Sequence, residues 1–161
     1  MKTVGVLTLV FLALQLTACA SAQPGGGTEA STCAPSAEAN RRIVLAFYDQ
    51  ALVKRQTRAA FERYASEDFV EHKTSVPVGT RAATIDFLED LVKQAPDPQW
   101  QVVRTIAEGD LVFLHARFVP VPGAPEFAIG DVFRLNRCKL VEHWDIIGLP
   151  VKDQRNPNSR F

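Results

Sequence analysis

Apolar residues recur at helical spacing from residue 37 onwards: Ile43, Phe47 and Ala51 fall on one line and Val44, Tyr48 and Leu52 on the next, as far as Lys54. Ser36 precedes this run and is placed to cap it, because a serine hydroxyl can accept from the amide groups that a first helical turn leaves without partners. Thr57 is placed to cap a second, shorter helix, with Phe61 and Tyr64 on one face ahead of Phe69 and Val70. A third runs from Thr80, again a capping residue, to the stop at Pro96-Asp97-Pro98, and carries Ile85, Leu88, Leu91 and Val92 as its stripe. The segment EHKTSVPVGT, residues 71–80, reads as the loop between the last two helices. Beyond the prolines the period becomes that of a strand. Residues 100–107, 111–119, 127–135 and 140–147 are predicted as four strands, separated by Glu108-Gly109-Asp110, by the Pro-rich stretch 120–126 and by a tight turn. The pattern is α+β: three N-terminal helices packed on a curved antiparallel sheet that forms a conical barrel, with a ligand pocket at its open end.

Within that sheet one acid stands out. Phe127, Ile129, Asp131, Phe133 and Leu135 share a face at strand period, so a single carboxylate projects from an apolar row. Burying such a group demands either a partner that neutralises it or a raised pKa fitted to proton transfer. The arm that follows carries Glu142, His143, Trp144 and Asp145 in succession, and the turn decides which of them meets Asp131. A two-residue loop at Arg137-Cys138 pairs Asn136 with Lys139 and sets Asp131 opposite Trp144; a three-residue loop with Cys138 in a bulge pairs Leu135 with Lys139 and sets it opposite His143. Both turns favour glycine where Cys138 stands. On the preceding strand His115 lies in a row with Leu111, Phe113, Arg117 and Val119, and a carboxylate beside an imidazole is the minimal unit for moving a proton. His72 in the loop is a third candidate. Arg117 is placed either to bind an anionic group or to pair with Glu126.

The 161 residues carry 18 basic and 18 acidic side chains and are 47% hydrophobic, which fits one ordinary globular domain and gives no electrostatic reason for nucleic-acid binding. Lys2 and the apolar run Val4 to Leu16 have the layout of an export signal, too short for a permanent membrane helix. Leu16-Thr17-Ala18-Cys19 resembles the bacterial lipobox, so residues 1–18 are expected to be a lipoprotein signal peptide and Cys19 the lipidated residue. An ordinary signal cut after Ala20 or Ala22 is the alternative. The residue after Cys19 is Ala20 and not Asp, which by resemblance to Gram-negative lipoproteins favours the outer membrane facing the periplasm. Residues 19–36, rich in Gly, Ser, Thr, Ala and Pro, form a tether, and 37–161 the folded domain. Cys33 and Cys138 are the two other thiols, and an oxidising compartment favours a disulfide between them over two unpaired thiols. Neither lies at metal-ligand spacing from a Cys or His, so no metal is expected.

The stretches FVEHKT, GTRAATIDFLEDL, RTIAEGDLVFLHARF, GDVFRLNRCKLVEHWDII and NPNSRF, taken together, resemble the SnoaL-like polyketide cyclase family of the nuclear transport factor 2-like superfamily, over residues 39–161. The resemblance implies the same α+β cone and a cofactor-free reaction in which an Asp on the third long strand removes a proton next to a carbonyl. It maps that acid/base onto Asp131, the pocket His onto His115, and the His of a Gln-His-Asn-Pro segment onto His72. Here that segment reads Glu71-His72-Lys73-Thr74, so the amide and the proline are both replaced. His143, Trp144, Phe133, Phe113 and Arg117 complete the expected pocket. Two classes of function follow. One is a lyase or isomerase acting on a small carbonyl compound, with Asp131 as base, His115 donating to the enolate oxygen, and Phe133 and Trp144 excluding water. The other is an envelope lipoprotein, anchored through Cys19, that binds a small apolar molecule or a partner protein without turning it over. A homodimer is compatible with either.

Overall fold

A computed structural model of the chain describes residues 34–161. Helix α1 (Ala37–Tyr48) starts where the sequence places it, with the Ser36 hydroxyl accepting from the Ala39 amide at 3.1 Å, and continues into a π-helical turn over Asp49–Val53. Helix α2 (Thr57–Tyr64) follows. Thr57 is not its cap: it is the first helical residue, and its buried hydroxyl donates to the Ala51 carbonyl at 3.0 Å, satisfying an acceptor left by the preceding turn. Helix α3 (Arg81–Gln94) is capped by Thr80. Four strands, β2 (Gln99–Glu108), β3 (Leu111–Val119), β4 (Phe127–Asn136) and β5 (Lys139–Gly148), form the expected antiparallel meander.

A fifth strand changes the sheet. β1 (Ala65–Glu71) follows α2 directly and pairs with β5 in parallel, so the order is β1-β5-β4-β3-β2 and the sheet is mixed, where the sequence indicated a purely antiparallel one. The sheet curves around the helices without closing, and β1 and β2 remain its edges; the expected cone is therefore open-sided. Phe69 and Glu71 alternate into the interior along β1, the same two-residue period that marks Asp131 on β4.

Packing between the helices and the concave face is aromatic. Phe47 of α1 meets Phe61 of α2 and Phe133 of β4 edge to face, with ring centres 5.0 and 5.8 Å apart, and Phe61 meets Phe69 at 5.5 Å. On β3 the buried row is Val112, Leu114, Ala116 and Phe118, and on β4 it is Ile129, Asp131, Phe133 and Leu135. The β4 row alternates strictly, and the β3 row does so up to Phe118, after which Val119 is buried as well.

The turn between β4 and β5 is the two-residue one, with Arg137 at φ +47° and Cys138 at φ +62°. Asn136 pairs with Lys139 and Leu135 with Leu140, but Arg134 then pairs with Glu142, which leaves Val141 as an extra, bulged residue. Neither expected register survives it. Asp131 lies opposite Asp145, Val132 opposite Trp144 and Phe133 opposite His143. Because side chains alternate, that one residue turns His143, Asp145 and Ile147 to the concave face and sends Glu142, Trp144 and Ile146 to the convex one.

Candidate functional site

Between the helices and the concave face lies a cavity of about 360 Å³, within the range of small-molecule sites. Its walls are mostly apolar: Tyr48 and Leu52 from the first helix and π-turn, Phe87 and Leu91 from α3, Trp100 from β2 and Ile129 from β4. Apart from the Tyr48 phenol, the ionisable side chains that reach it come from β1, β4, β5 and the segment after β1: Glu71, Lys73, Asp131, His143 and Asp145.

Their arrangement is a chain of alternating charge. His143 Nε2 lies 3.2 Å from Asp131 Oδ1, and His143 Nδ1 lies 2.9 Å from both carboxylate oxygens of Glu71. The backbone amide of Lys73 donates to Glu71 Oε1 at 2.8 Å and fixes that carboxylate from the other side. Phe133 stacks on the imidazole with ring centres 4.5 Å apart. Burial alone would lower the imidazole's pKa, but hydrogen bonds to Asp131 and Glu71 and the negative charge of both outweigh it and hold His143 at about 9. At neutral pH the ring is therefore an imidazolium between two carboxylates. Beside it, the Lys73 ammonium is paired with the Asp145 carboxylate. Three carboxylates against two cations leave the cluster with one formal negative charge. Tyr48 stands next to Asp131; burial first, and then that carboxylate, push its phenol well above the ordinary range, so it keeps its proton. Its oxygen is enclosed and closes no hydrogen bond of ordinary geometry.

Asp131, His143 and Phe133, three of the expected pocket residues, are thus brought together, and of the two partners the sequence left open for Asp131, His143 and Trp144, it is His143 that reaches it. His115 is not among them. The row Leu111, Phe113, His115, Arg117 and Val119 is the convex one, so His115, Phe113 and Arg117 point away from the cavity, and Phe113 covers Gly130 from outside at 3.3 Å from where a Cβ would stand. His115 Nδ1 accepts from Arg104 at 2.8 Å, its ring stacks on Phe161, and burial, Arg104 and Arg160 lower its pKa; the proton partner expected for Asp131 is instead a neutral surface imidazole. Arg117 pairs with Glu126, the second of its two expected roles. Trp144 faces outward because of the Val141 bulge and stacks flat on His72 at 4.5 Å, which removes both from the cavity. The expected Cys33–Cys138 bond and the lipidated Cys19 each involve residues outside those described.

Glu71, Lys73 and Tyr48 were not expected in the site. Glu71 carries a signal, its two-residue spacing from Phe69, which becomes informative only once the segment is a strand rather than the end of a helix and a loop. Among the described residues no group of three or more His, Cys, Asp and Glu is arranged to hold a metal ion. What the cluster can do is move a proton. Asp131 presents a carboxylate to an apolar cavity, and the imidazolium behind it is itself balanced by a second carboxylate.

The SnoaL-like domain family matches residues 44–143. Among proteins of curated function none matches the chain. Several solved structures share the fold. One is AclR, a proposed hydroxylase from Streptomyces galilaeus, 22% identical over 70% of this chain and 91% of its own, with a TM-score of 0.59. Another is a proposed SnoaL-like polyketide cyclase from Jannaschia, 20% identical over 71% and 89%, with a TM-score of 0.59. A third is a proposed ketosteroid isomerase from Kribbella flavida, 17% identical over 77% and 86%, with a TM-score of 0.58.

Proposed function

Because the chain belongs to the SnoaL-like domain family, we propose that it takes a small, largely apolar carbonyl compound into the cavity and removes a proton from the carbon beside the carbonyl, with Asp131 as the base. The observation that carries this reading is the position of Asp131, buried at 6% exposure in an otherwise apolar row yet lining the cavity. An acid that served only to pair with His143 would have no need to face that space. His143 holds Oδ1, and the Tyr48 phenol stands next to the same carboxylate.

His143 touches Asp131 on one side and Glu71 on the other, so the ring that holds the base is itself held by a second carboxylate. Excluding water from the apolar walls strengthens every remaining interaction in the site. The enolate so formed either adds to a second carbonyl of the same molecule, closing a ring, or takes the proton back at another carbon. Those are the reaction types named for the Jannaschia and Kribbella proteins, and the cluster serves both.

The test needs no knowledge of the natural product. Hydrogen–deuterium exchange at the α-carbon of a panel of cyclic ketones and 1,3-diketones, followed by NMR in D₂O, reports proton abstraction alone. Asp131→Asn keeps the shape and removes the acceptor, and should slow exchange by about 10²–10⁴ with ligand affinity and melting temperature largely kept. Exchange as fast in the variant as in the wild type, or a variant that no longer folds, rejects the assignment. A second reading rests on Leu16-Thr17-Ala18-Cys19: a lipoprotein in the cell envelope that holds an apolar ligand in the same cavity. It is favoured if ketones bind and none exchanges.

A further inference from the structure

Proton removal by Asp131 moves the C–H electron pair into a new C–C π bond and the carbonyl π pair onto oxygen, so a full negative charge appears on the oxygen inside an apolar cavity. That charge needs a donor aimed at it. Both N–H groups of His143 are already committed, one to Glu71 and one to Asp131. The Tyr48 hydroxyl and the Trp100 indole nitrogen are enclosed by protein atoms and present no surface to a ligand. His115 and Arg117 are on the far face of the sheet.

Lys73 remains. It lines the cavity, its ammonium has three N–H bonds, and Asp145 takes one. Asp145 is the cross-strand partner of Asp131, so the ammonium is bonded to the carboxylate that stands directly opposite the base on the neighbouring strand. Its chain is anchored at both ends: the backbone amide on Glu71, and Nζ between Asp145 and the Phe87 ring, whose centre is 5.9 Å away.

We propose that Lys73 is the oxyanion-binding group of this site, donating from its ammonium to the oxygen on which charge develops while Asp131 takes the proton from the neighbouring carbon. The assignment rests on the reading of Asp131 as base. It makes the position held by an amide in the resembling Gln-His-Asn-Pro segment a cationic one here, and it fits a substrate with one polar edge and an apolar body. Paired with Asp145, the lysine acts as an ammonium and forms no imine.

The probe is 4-nitrophenol, whose oxygen stands in for the enolate and whose absorbance reports the phenolate directly; nitrobenzene is its neutral counterpart. Asp131→Asn imitates the site after proton transfer and should bind 4-nitrophenolate more tightly than the wild type does. Adding Lys73→Gln to Asp131→Asn should weaken phenolate binding about tenfold or more, with nitrobenzene unchanged and Lys73→Arg retaining most of the affinity. If Lys73→Gln strands Asp145 and the protein does not fold, Lys73→Gln/Asp145→Asn in the same background carries the comparison without a bare charge. Three results overturn the proposal: equal phenolate affinity with and without Lys73, a parallel loss of nitrobenzene, or no phenolate binding to Asp131→Asn at millimolar concentration. Borohydride trapping of a ketone on Lys73 of the wild type also overturns it. A base assignment that fails is recognised separately, by α-proton exchange that persists in Asp131→Asn.

Discussion

His143 holds a proton at neutral pH only because the fold supplies Glu71 and Asp131, and that dependence is measurable as stability. Its folded pKa of about 9 exceeds the ordinary 6.5, so the contribution is complete below about pH 6.5 and is lost as pH rises through about 9. The full amount is at most about 3 kcal/mol. The wild type should lose melting temperature between pH 6 and pH 9.5, whereas His143→Gln should show a flatter profile over the same window; parallel profiles would mean the ring is not charged. Glu71→Gln takes away one of the two charges holding that proton, and the ring C–H shifts in an NMR titration should then turn over at lower pH. An unmoved titration would leave Asp131 as the sole support. Asp131 was legible in the sequence because its row is apolar at strict two-residue spacing. His115 was misplaced for the same reason: both rows of β3 are largely apolar, and alternation alone does not say which of two apolar rows faces inward. The more uniform one, Val112, Leu114, Ala116 and Phe118, does.

Among the elements, α1, α3 and the strands of the meander follow from capping residues and period, and each predicted strand ends within a residue or so of the observed one. The start of β1 has no sequence signal because it begins at the residue after α2 ends, with no Gly, Pro or Asn to mark the change. The bulge at Val141 has no composition signal either. The segment after β1 holds Glu71 in place by a close approach: Gly79 sits at φ +59°, and a Cβ there would lie 2.6 Å from the Glu71 carbonyl oxygen. Gly79→Ala should therefore cost about 2–3 kcal/mol, strain plus displacement, and should disturb the His143 titration as well. Gly109 has a similar φ of +57° with nothing near its missing Cβ, so Gly109→Ala should cost only about 1 kcal/mol and leave the titration alone. Equal losses in the two variants would discount the contact with Glu71.

At the scale of the whole chain, two covalent features are proposed from the sequence alone, and both are open to mass measurement. We propose that Cys19 carries lipid and that the protein fractionates with membranes; an unmodified N-terminus downstream of Cys19 in the native protein would refute this. We also propose a Cys33–Cys138 disulfide, closing a loop of about 100 residues and contributing up to about 4–5 kcal/mol in the chain-entropy account. Both thiols alkylating in denaturant without reductant would exclude it. The extra residue at Val141 has a wider consequence for how such a protein can change. Point substitutions on β5 alter the cavity one side chain at a time, but loss of a single codon there would present Glu142, Trp144 and Ile146 in place of His143, Asp145 and Ile147. One deletion event thus separates a charged binding surface from an aromatic one, with no intermediate sequence to pass through, and selection for a new ligand on this scaffold can act through changes of length.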